Sequence, residues 1–220
     1  IWLSVVDAPI ITDNNIERAA DGASWFVSTV KNDQKVTSAK WMTAGLGVFQ
    51  LYLNGEIVGA EVLKPGFTDP FKTKLSFTYD ITDAFLCKAG AENVLAAQVT
   101  PGWWGDKIVT PGGNKGTYGT KCAFRGVLEL TYADGTTKLY GTDLENWKAG
   151  IAGPVKHAAI FDGEEYDARE KMGYDCVETL STPEQNKEFR GKIFPTNGAE
   201  VYMRHDLTLS PVKAYIWNGV

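Results

Sequence analysis

The sequence predicts an all-β protein: an antiparallel β-sandwich, specifically a jelly roll, with little helix. Three observations carry this prediction. Short runs of β-branched and aromatic residues recur along the chain, turn residues of the Asn-Gly and Asp-Gly type separate them, and few segments repeat their apolar residues at helical spacing. With 44% hydrophobic residues and 23 Gly, the 220-residue chain has the material for a large core and many tight turns.

Ten segments are predicted to be strands. In chain order they are residues 25–30, 40–44, 48–53, 56–59, 74–79, 93–99, 126–133, 136–140, 155–160 and 201–209. Asn54 and Gly55 join the third to the fourth, and this pair is the strongest short hairpin signal because both residues tolerate positive φ. In the fifth, Leu75, Phe77 and Tyr79 alternate with polar residues, which predicts one buried face. An Asp-Gly pair joins the seventh to the eighth.

The remaining segments give the expected domain organisation. Residues 80–86 are predicted to form one short helical turn, and residues 178–191, which are polar and charged, a linker or surface crossing. We expect residues 1–20 to be a lead-in strand with its connection and residues 21–205 to be the sandwich. Residues 206–220 are expected to be a strand that leads to an absent downstream domain, so the chain is interpreted as a fragment.

Charge and hydropathy exclude several classes of function. The chain carries 27 acidic and 22 basic residues, for a net charge of −5, and it contains no Lys/Arg run of the kind that nucleic acid selects. No apolar stretch approaches the roughly 20 residues that span a bilayer. We therefore predict neither a nucleic-acid partner nor a membrane span.

The cysteines and histidines give no signal of a metal or catalytic centre. Cys87, Cys122 and Cys176 are odd in number and far apart, so isolated thiols are favoured, with one disulfide as the alternative. His157 lies in an apolar run and His205 far from it, and neither has the context of a metalloprotease or a serine nucleophile. A structural role is expected for both histidines.

A family resemblance begins at the predicted hairpin. Residues 47–59, G-V-F-Q-L-Y-L-N-G-E-I-V-G, resemble the hairpin of galactose-binding-type jelly rolls, which many glycoside hydrolases carry as accessory domains. Residues 63–69, L-K-P-G-F-T-D, and residues 79–82, Y-D-I-T, are similar to the segments that follow this hairpin in bacterial α-L-rhamnosidases.

The resemblance becomes specific further along. Residues 161–169, F-D-G-E-E-Y-D-A-R, are close to a signature of the N-terminal domain of bacterial α-L-rhamnosidases, and Trp147 stands where that family has a D-x-S-W element. The match runs in consistent order over about residues 24–176. It departs at the family loop G-D-G-W-Y-x-G, which here reads T-P-G-W-W-G-D over residues 100–106, without the acidic residue before the first Trp.

Residues 100–119 form the candidate carbohydrate-binding loop, since long loops in compact domains are often functional. Trp103 and Trp104 are adjacent, so in an extended strand one faces the core and the other the solvent, where a Trp face suits the C–H patches of a sugar. The alternative is that both pack beneath the loop. Asp106, Asn114 and Tyr118 are candidates for hydrogen bonds to the sugar, and a turn role with positive φ is the alternative for Asn114.

A second polar group follows the predicted ninth strand. It comprises Asp162, Glu164, Tyr166, Asp167 and Arg169. Paired carboxylates are a requirement of glycoside hydrolysis, but the nearby guanidinium favours a structural carboxylate–Arg network. Calcium ligation by these carboxylates is an alternative, although the spacing is not that of an EF-hand.

The resemblance implies a non-catalytic N-terminal module of an α-L-rhamnosidase, one that binds rhamnose-containing carbohydrate. Its alternative role is purely structural: packing on and orienting an absent catalytic (α/α) barrel. In the family, some members bind rhamnose with the help of calcium, so calcium is a possible cofactor, and no other is expected. The 220-residue chain is predicted to be inactive as a hydrolase, and the family implies a periplasmic or extracellular location.

Overall fold

A computed structural model describes residues 1–8, 10–11, 22–107, 115–116, 118–213 and 215. The strands, in chain order, are β1 Leu3–Ser4, β2 Ser24–Lys31, β3 Val36–Leu46, β4 Val48–Leu53, β5 Glu56–Val58, β6 Glu61–Val62, β7 Thr73–Asp80, β8 Glu92–Thr100, β9 Ala123–Tyr132, β10 Thr137–Gly141, β11 Trp147–Ile151, β12 Val155–Ala159, β13 Gly163–Tyr166, β14 Glu184–Gln185, β15 Lys192–Pro195 and β16 Val201–Tyr202. One short α-helix, α1 Gly102–Gly105, and three 3-10 turns, Gly173–Asp175, Val177–Thr179 and His205–Leu207, accompany them. The prediction of an all-β sandwich with little helix is confirmed; the jelly-roll topology stays a prediction.

Two sheets form the body of the sandwich. The seven-stranded sheet has the order β14-β1-β9-β3-β7-β15. Its seventh strand, β10, pairs with β9 along the same edge as β1. The five-stranded sheet has the order β11-β2-β8-β4-β5 and is antiparallel throughout. In the seven-stranded sheet β15 runs parallel to β7, and the other pairs are antiparallel. Two small ribbons, β12-β13 and β6-β16, lie outside these sheets.

The main core fills the space between the two sheets. Its largest members are fully buried aromatic and aliphatic side chains, among them Phe26, Trp41, Leu51, Phe124 and Leu128. Phe124 packs against the rings of Phe26 and Trp41, with centroids 5.9 and 6.2 Å apart. Burial of each such side chain contributes about 1.5–3 kcal/mol, so this layer dominates the stability of the fold.

Both sheets are also covered on their outer faces. On the five-stranded sheet Trp25 alternates with Phe26 along β2 and belongs to a second cluster with Tyr52 and Leu180. On the seven-stranded sheet Leu46 belongs to a third cluster that contains residues outside the sheet. A strand buried on both faces shows no alternation, which explains the continuous burial from residue 24 to residue 28 in β2.

The strand predictions are confirmed most closely where a turn signal defines them. Residues 48–53 match β4, and Asn54 and Gly55 have φ of 51° and 88°, as the predicted turn requires. The predicted turn at 80–86 is present, since the amide of Phe85 donates to the carbonyl of Ile81 at 2.9 Å.

Two predictions near the end of the chain need correction. The strand predicted for 201–209 is limited to Val201–Tyr202, because β6 offers only two residues to pair with it and a 3-10 turn follows. For residues 178–191 the linker is wrong and the alternative of a surface crossing fits: they contain β14 and the buried Phe189, and they pack against the outer face of the seven-stranded sheet. Of the strand expected over residues 206–220, residues 214 and 216–220 lie outside the described part of the chain.

Candidate functional site

The predicted binding loop begins with the short helix α1 rather than an extended strand. The amides of Trp104 and Gly105 both donate to the carbonyl of Pro101, at 3.1 Å each. Adjacent residues of a helix point roughly 100° apart around its axis. The extended backbone assumed for Trp103 and Trp104 was therefore wrong, yet the two indoles still separate: Trp103 is partly exposed and Trp104 is buried.

Trp104 lies in the cluster that covers the seven-stranded sheet. It is 2% exposed, its Nε1 donates to the carbonyl of Lys121 at 3.0 Å, and its ring meets Phe189 edge to face at 6.4 Å. A Cβ on Gly119 would lie 1.9 Å from the indole, so the lack of a side chain there makes room for it. In this arrangement the faces of Trp104 contact protein. For Trp104, this agrees with the alternative in which the tryptophans pack beneath the loop.

Trp103 stands beside the loop that follows β6. With Pro65, Gly66 and Phe67 it lines a cavity of about 10 Å³, which is room for a single water molecule. A sugar at Trp103 would therefore contact the outside of the ring rather than enter an enclosed pocket.

The other loop candidates have partners within the protein. Asp106 is buried, and its carboxylate accepts hydrogen bonds from the amides of Lys107 (2.7 Å) and Ile160 (3.2 Å). Tyr118 is partly buried and packs on Phe71, with ring centroids 5.6 Å apart. Asn114 lies outside the described residues. The contact with Ile160 ties the loop to the end of β12.

The polar group at 162–169 divides into separate contacts. Arg169 donates to both carboxylate oxygens of Asp167, at 2.8 and 2.6 Å, and this hydrogen bonding lowers the pKa of Asp167 below its usual value. Asp162 lies 3.7 Å from the ammonium of Lys107, so it faces the candidate loop. Glu164 and Tyr166 lie on β13 with exposed side chains. The structure therefore brings Asp162 to the loop but leaves the Asp167–Arg169 pair on the exposed surface.

Two buried lysines were not anticipated from the sequence. Lys74 is 7% exposed, and its ammonium lies 4.6 Å from the ring centroid of Trp104 and 5.7 Å from that of Phe189. Burial lowers the pKa of Lys74 to about 8, opposed by the charge of Asp69. Lys74 lies on the outward face of β7, and its neighbour Leu75 faces the main core. This outward face is itself covered, by the cluster that contains Trp104 and Phe189.

Lys64 is buried within a polar network. Its ammonium donates to the hydroxyl of Tyr79 at 3.1 Å and lies 3.7 Å from the carboxylate of Glu61, to which the Tyr79 hydroxyl also donates at 3.1 Å. Burial lowers the pKa of Lys64 although Glu61 opposes the change, and burial raises the pKa of Tyr79. The network connects β6, the loop after it and β7 beneath the two-stranded ribbon β6-β16.

A larger cleft lies between the two sheets. We call it the inter-sheet cleft; it has a volume of about 390 Å³ and opens between the edge strands β10 and β11. Its lining comprises Ser28, Thr29, Val30, Lys31, Asp33, Trp41, Leu95, Leu128, Lys138, Leu139, Tyr140, Gly141, Asp143, Asn146 and Trp147. No motif indicated this cleft, because its two walls come from segments about a hundred residues apart. The one available signal was that Lys138 and Tyr140 share a face of β10.

Two further findings bear on metals and membranes. Within the residues that the structure describes, no group of three or more His, Cys, Asp or Glu side chains is placed to hold a metal ion. Within the described part of the chain, Cys87, Cys122 and Cys176 form no disulfide. Over the same described ranges, no helix has the length and apolar character needed to cross a bilayer. Calcium dependence stays a prediction.

Comparison with known sequences places these features in a family. The family described as "Alpha-L-rhamnosidase N-terminal domain" matches residues 34–190. The chain is 38% identical over 138 residues to an α-L-rhamnosidase of Streptomyces avermitilis, which covers 63% of the chain and 13% of that relative. It is 33% identical over 141 residues to an α-L-rhamnosidase of an Alteromonas species, covering 64% of the chain and 15% of the relative. The chain thus spans a small part of the length of the curated relatives that it matches.

Solved structures show the same relationship. The fold matches the crystal structure of a native α-L-rhamnosidase from Aspergillus terreus with a TM-score of 0.74 and 26% identity, over 85% of this chain and 21% of that one. It matches the α-L-rhamnosidase of Streptomyces avermitilis complexed with L-rhamnose with a TM-score of 0.70 and 29% identity, over 79% and 17%. Because the family match also covers well over half of the residues, the chain belongs to the α-L-rhamnosidase N-terminal domain family.

Proposed function

We propose that this chain is the non-catalytic N-terminal module of an α-L-rhamnosidase and that it binds rhamnose-containing carbohydrate. The observation that carries the proposal is that the two adjacent indoles differ in burial. Trp104 anchors α1 in the protein, and Trp103 is left partly exposed at the surface. An aromatic side chain held by a buried neighbour presents its face at little entropic cost.

A charged pair at the end of the same loop fits the proposal. The ammonium of Lys107 and the carboxylate of Asp162 lie 3.7 Å apart, and both side chains keep part of their surface in solvent. Sugar sites combine an apolar face with a few polar groups that fix orientation. The α-L-rhamnosidase of Streptomyces avermitilis, whose structure contains L-rhamnose, supports rhamnose as the first sugar to test.

The test is a titration of the purified chain with L-rhamnose, followed by intrinsic Trp fluorescence, with calcium chloride or with EDTA. We expect a saturable change, and we expect Trp103→Ala to weaken binding at least tenfold, which is about 1.4 kcal/mol. Leu86→Ala, which removes an exposed apolar side chain on a distant turn, is the matched control. Binding that calcium does not alter would remove calcium from the proposal, and no saturable response to rhamnose under either condition would contradict the binding role.

Catalysis is tested on the same preparation. We expect the 220-residue chain to release no p-nitrophenol from p-nitrophenyl α-L-rhamnoside. Turnover by the chain that disappears with Asp162→Asn or Glu164→Gln would contradict the assignment as a non-catalytic module.

A structural role is the second candidate, and one observation favours it. Beyond β16 several large apolar side chains are exposed, among them Leu209 at 89% and Val212, which is fully exposed. Exposed apolar side chains that are contiguous in a chain often contact another domain or protein. In the full-length protein, the double change Leu209→Asp and Val212→Asp would then lower the thermal midpoint of the catalytic domain, whereas unchanged melting would count against an orienting role.

A further inference from the structure

We propose that the inter-sheet cleft is a second carbohydrate site, one that takes a single neutral sugar unit separately from the surface at Trp103. The inference rests on the proposed function for the class of ligand, and it adds a location that neither the sequence motifs nor the family match indicates. Its volume of about 390 Å³ falls within the range of small-molecule pockets, about 300–1,000 Å³.

The walls of the cleft combine apolar and polar surfaces. Core side chains form the floor of the cleft: Trp41 and Leu128 from the seven-stranded sheet and Trp147 from the five-stranded one are at most 4% exposed, so they close the cleft from behind. The ring of Trp147 packs against Phe124 with centroids 5.5 Å apart, which fixes its orientation. Tyr140 is only partly buried, so an aromatic ring is available on the β10 side. This combination suits a ligand with both C–H and hydroxyl surfaces.

The charges that line the cleft are balanced. Lys31 and Lys138 are matched by Asp33 and Asp143, and the ammonium of Lys138 lies 2.6 Å from Asp33. The oxygens of Asp143 accept hydrogen bonds from the residues that follow it, including the amide of Asn146 at 2.6 Å. A phosphate or other anion would meet two carboxylates, and a cation two ammonium groups. The lining therefore favours a neutral ligand.

The Lys138–Asp33 pair supplies the hydrogen-bonding groups that a diol requires. An ammonium has three donors, and Lys138 directs one of them to Oδ2 of Asp33. A carboxylate has two acceptor oxygens, so the pair presents donors and acceptors side by side at the rim. Lys138 is also held by the ring of Tyr140, 4.8 Å from its centroid. Neighbouring hydroxyls of a pyranose match this alternation, since one accepts from the ammonium while the next donates to the carboxylate.

The test is an NMR titration of ¹⁵N-labelled chain with methyl α-L-rhamnoside. The indole N–H signals of the two sites are separate reporters: Trp147 for the cleft and Trp103 for the loop. We expect both signals to shift saturably, with independent midpoints. Lys138→Ala should weaken the binding reported by Trp147 at least threefold and leave the Trp103 midpoint unchanged.

A steric variant provides an independent check. A Cβ on Gly141 meets no atom within 4 Å, so Gly141→Phe places a ring beside the cleft without a clash at the backbone. Gly198 is equally open but lies elsewhere, so Gly198→Phe is the matched control. We expect Gly141→Phe to abolish the shift of Trp147 and Gly198→Phe to preserve it.

The outcomes separate this inference from the proposed function. If Trp103 titrates while Trp147 does not, or if Lys138→Ala changes the Trp147 midpoint less than threefold, the cleft site is overturned and binding at the loop stands. If Trp147 alone titrates, the cleft is supported and Trp103 is not the contact. If neither signal moves, both proposals fail.

Discussion

Lys74 offers the sharpest test of the packing described above. Its ammonium is buried between the rings of Trp104 and Phe189, and Asp69, the charge that opposes the effect of burial, is paired with Lys72 at 3.0 Å. We predict that Lys74→Met stabilises the chain at neutral pH. Methionine is unbranched and of similar length, so it fills the same space without burying a charge.

The magnitude follows from the pKa. The difference between a pKa of about 8 and the ordinary 10.5 corresponds to about 3 kcal/mol against the charged form. The two cation–π contacts stabilise the charged form and offset about 1–2 kcal/mol of this cost. We therefore expect Lys74→Met to increase the free energy of unfolding by about 1–2 kcal/mol at pH 7.

The same group predicts a pH dependence with a definite sign. Because the folded pKa of Lys74 lies below the unfolded value, the unfolded state binds more protons between about pH 8 and 10.5. The Lys74 contribution therefore makes the wild type more stable as the pH rises into this window. Lys74→Met lacks this contribution, so its advantage should shrink at high pH.

The assay is urea unfolding followed by Trp fluorescence, at pH 7 and again near pH 9.5, with Lys40→Met as the control. Lys40 lies on β3 and is exposed, so its replacement should change the free energy by less than about 0.5 kcal/mol. The reasoning would be refuted if Lys74→Met were destabilising at pH 7, or if its difference from the wild type were the same at both pH values.

Two further predictions concern charged pairs at opposite extremes of burial. Lys64→Met should destabilise the chain by about 3–5 kcal/mol, because Glu61 would remain buried without its cation; a loss below 1 kcal/mol in urea unfolding would show that the network contributes little. Arg169→Ala should change the free energy of unfolding by no more than about 1 kcal/mol, since its bidentate pair with Asp167 lies at the exposed surface, and a thermal midpoint that falls by 10 °C would contradict this view.

The sequence was sufficient where structure is local. β4, the turn at Asn54 and Gly55, and the return strand β5 are determined by the alternation and φ preferences of neighbouring residues, and each lies where it was predicted. The parallel pairing of β15 with β7 depends on residues 118 positions apart, such as Ser76 and Phe194. No local pattern encodes such a pair, so the order of the strands had to come from the structure.

The candidate site residues, too, could be predicted only where neighbouring residues determine the structure. Adjacent tryptophans predicted one buried and one exposed ring, but the backbone between them is helical, and the partners that bury Trp104 come from Lys74 and Phe189. The polarity of 178–191 suggested a linker because Phe189 is its only large aromatic residue. Burial of that one ring depends on the outer face of the sheet, which is assembled from several distant segments.

The position of β1 has a consequence for how the chain acquires its structure. β1 lies between β9 and β14, and the amide of Asn186 donates to the hydroxyl of Ser4, 182 positions away. On the ribosome, β1 emerges long before β14 and must wait for almost the entire domain before this neighbour exists. Contacts of such long sequence separation slow folding and leave unpaired edges exposed meanwhile. We therefore expect the chain to depend on chaperones during synthesis. We also expect it to aggregate less when circular permutation moves β1 behind β14.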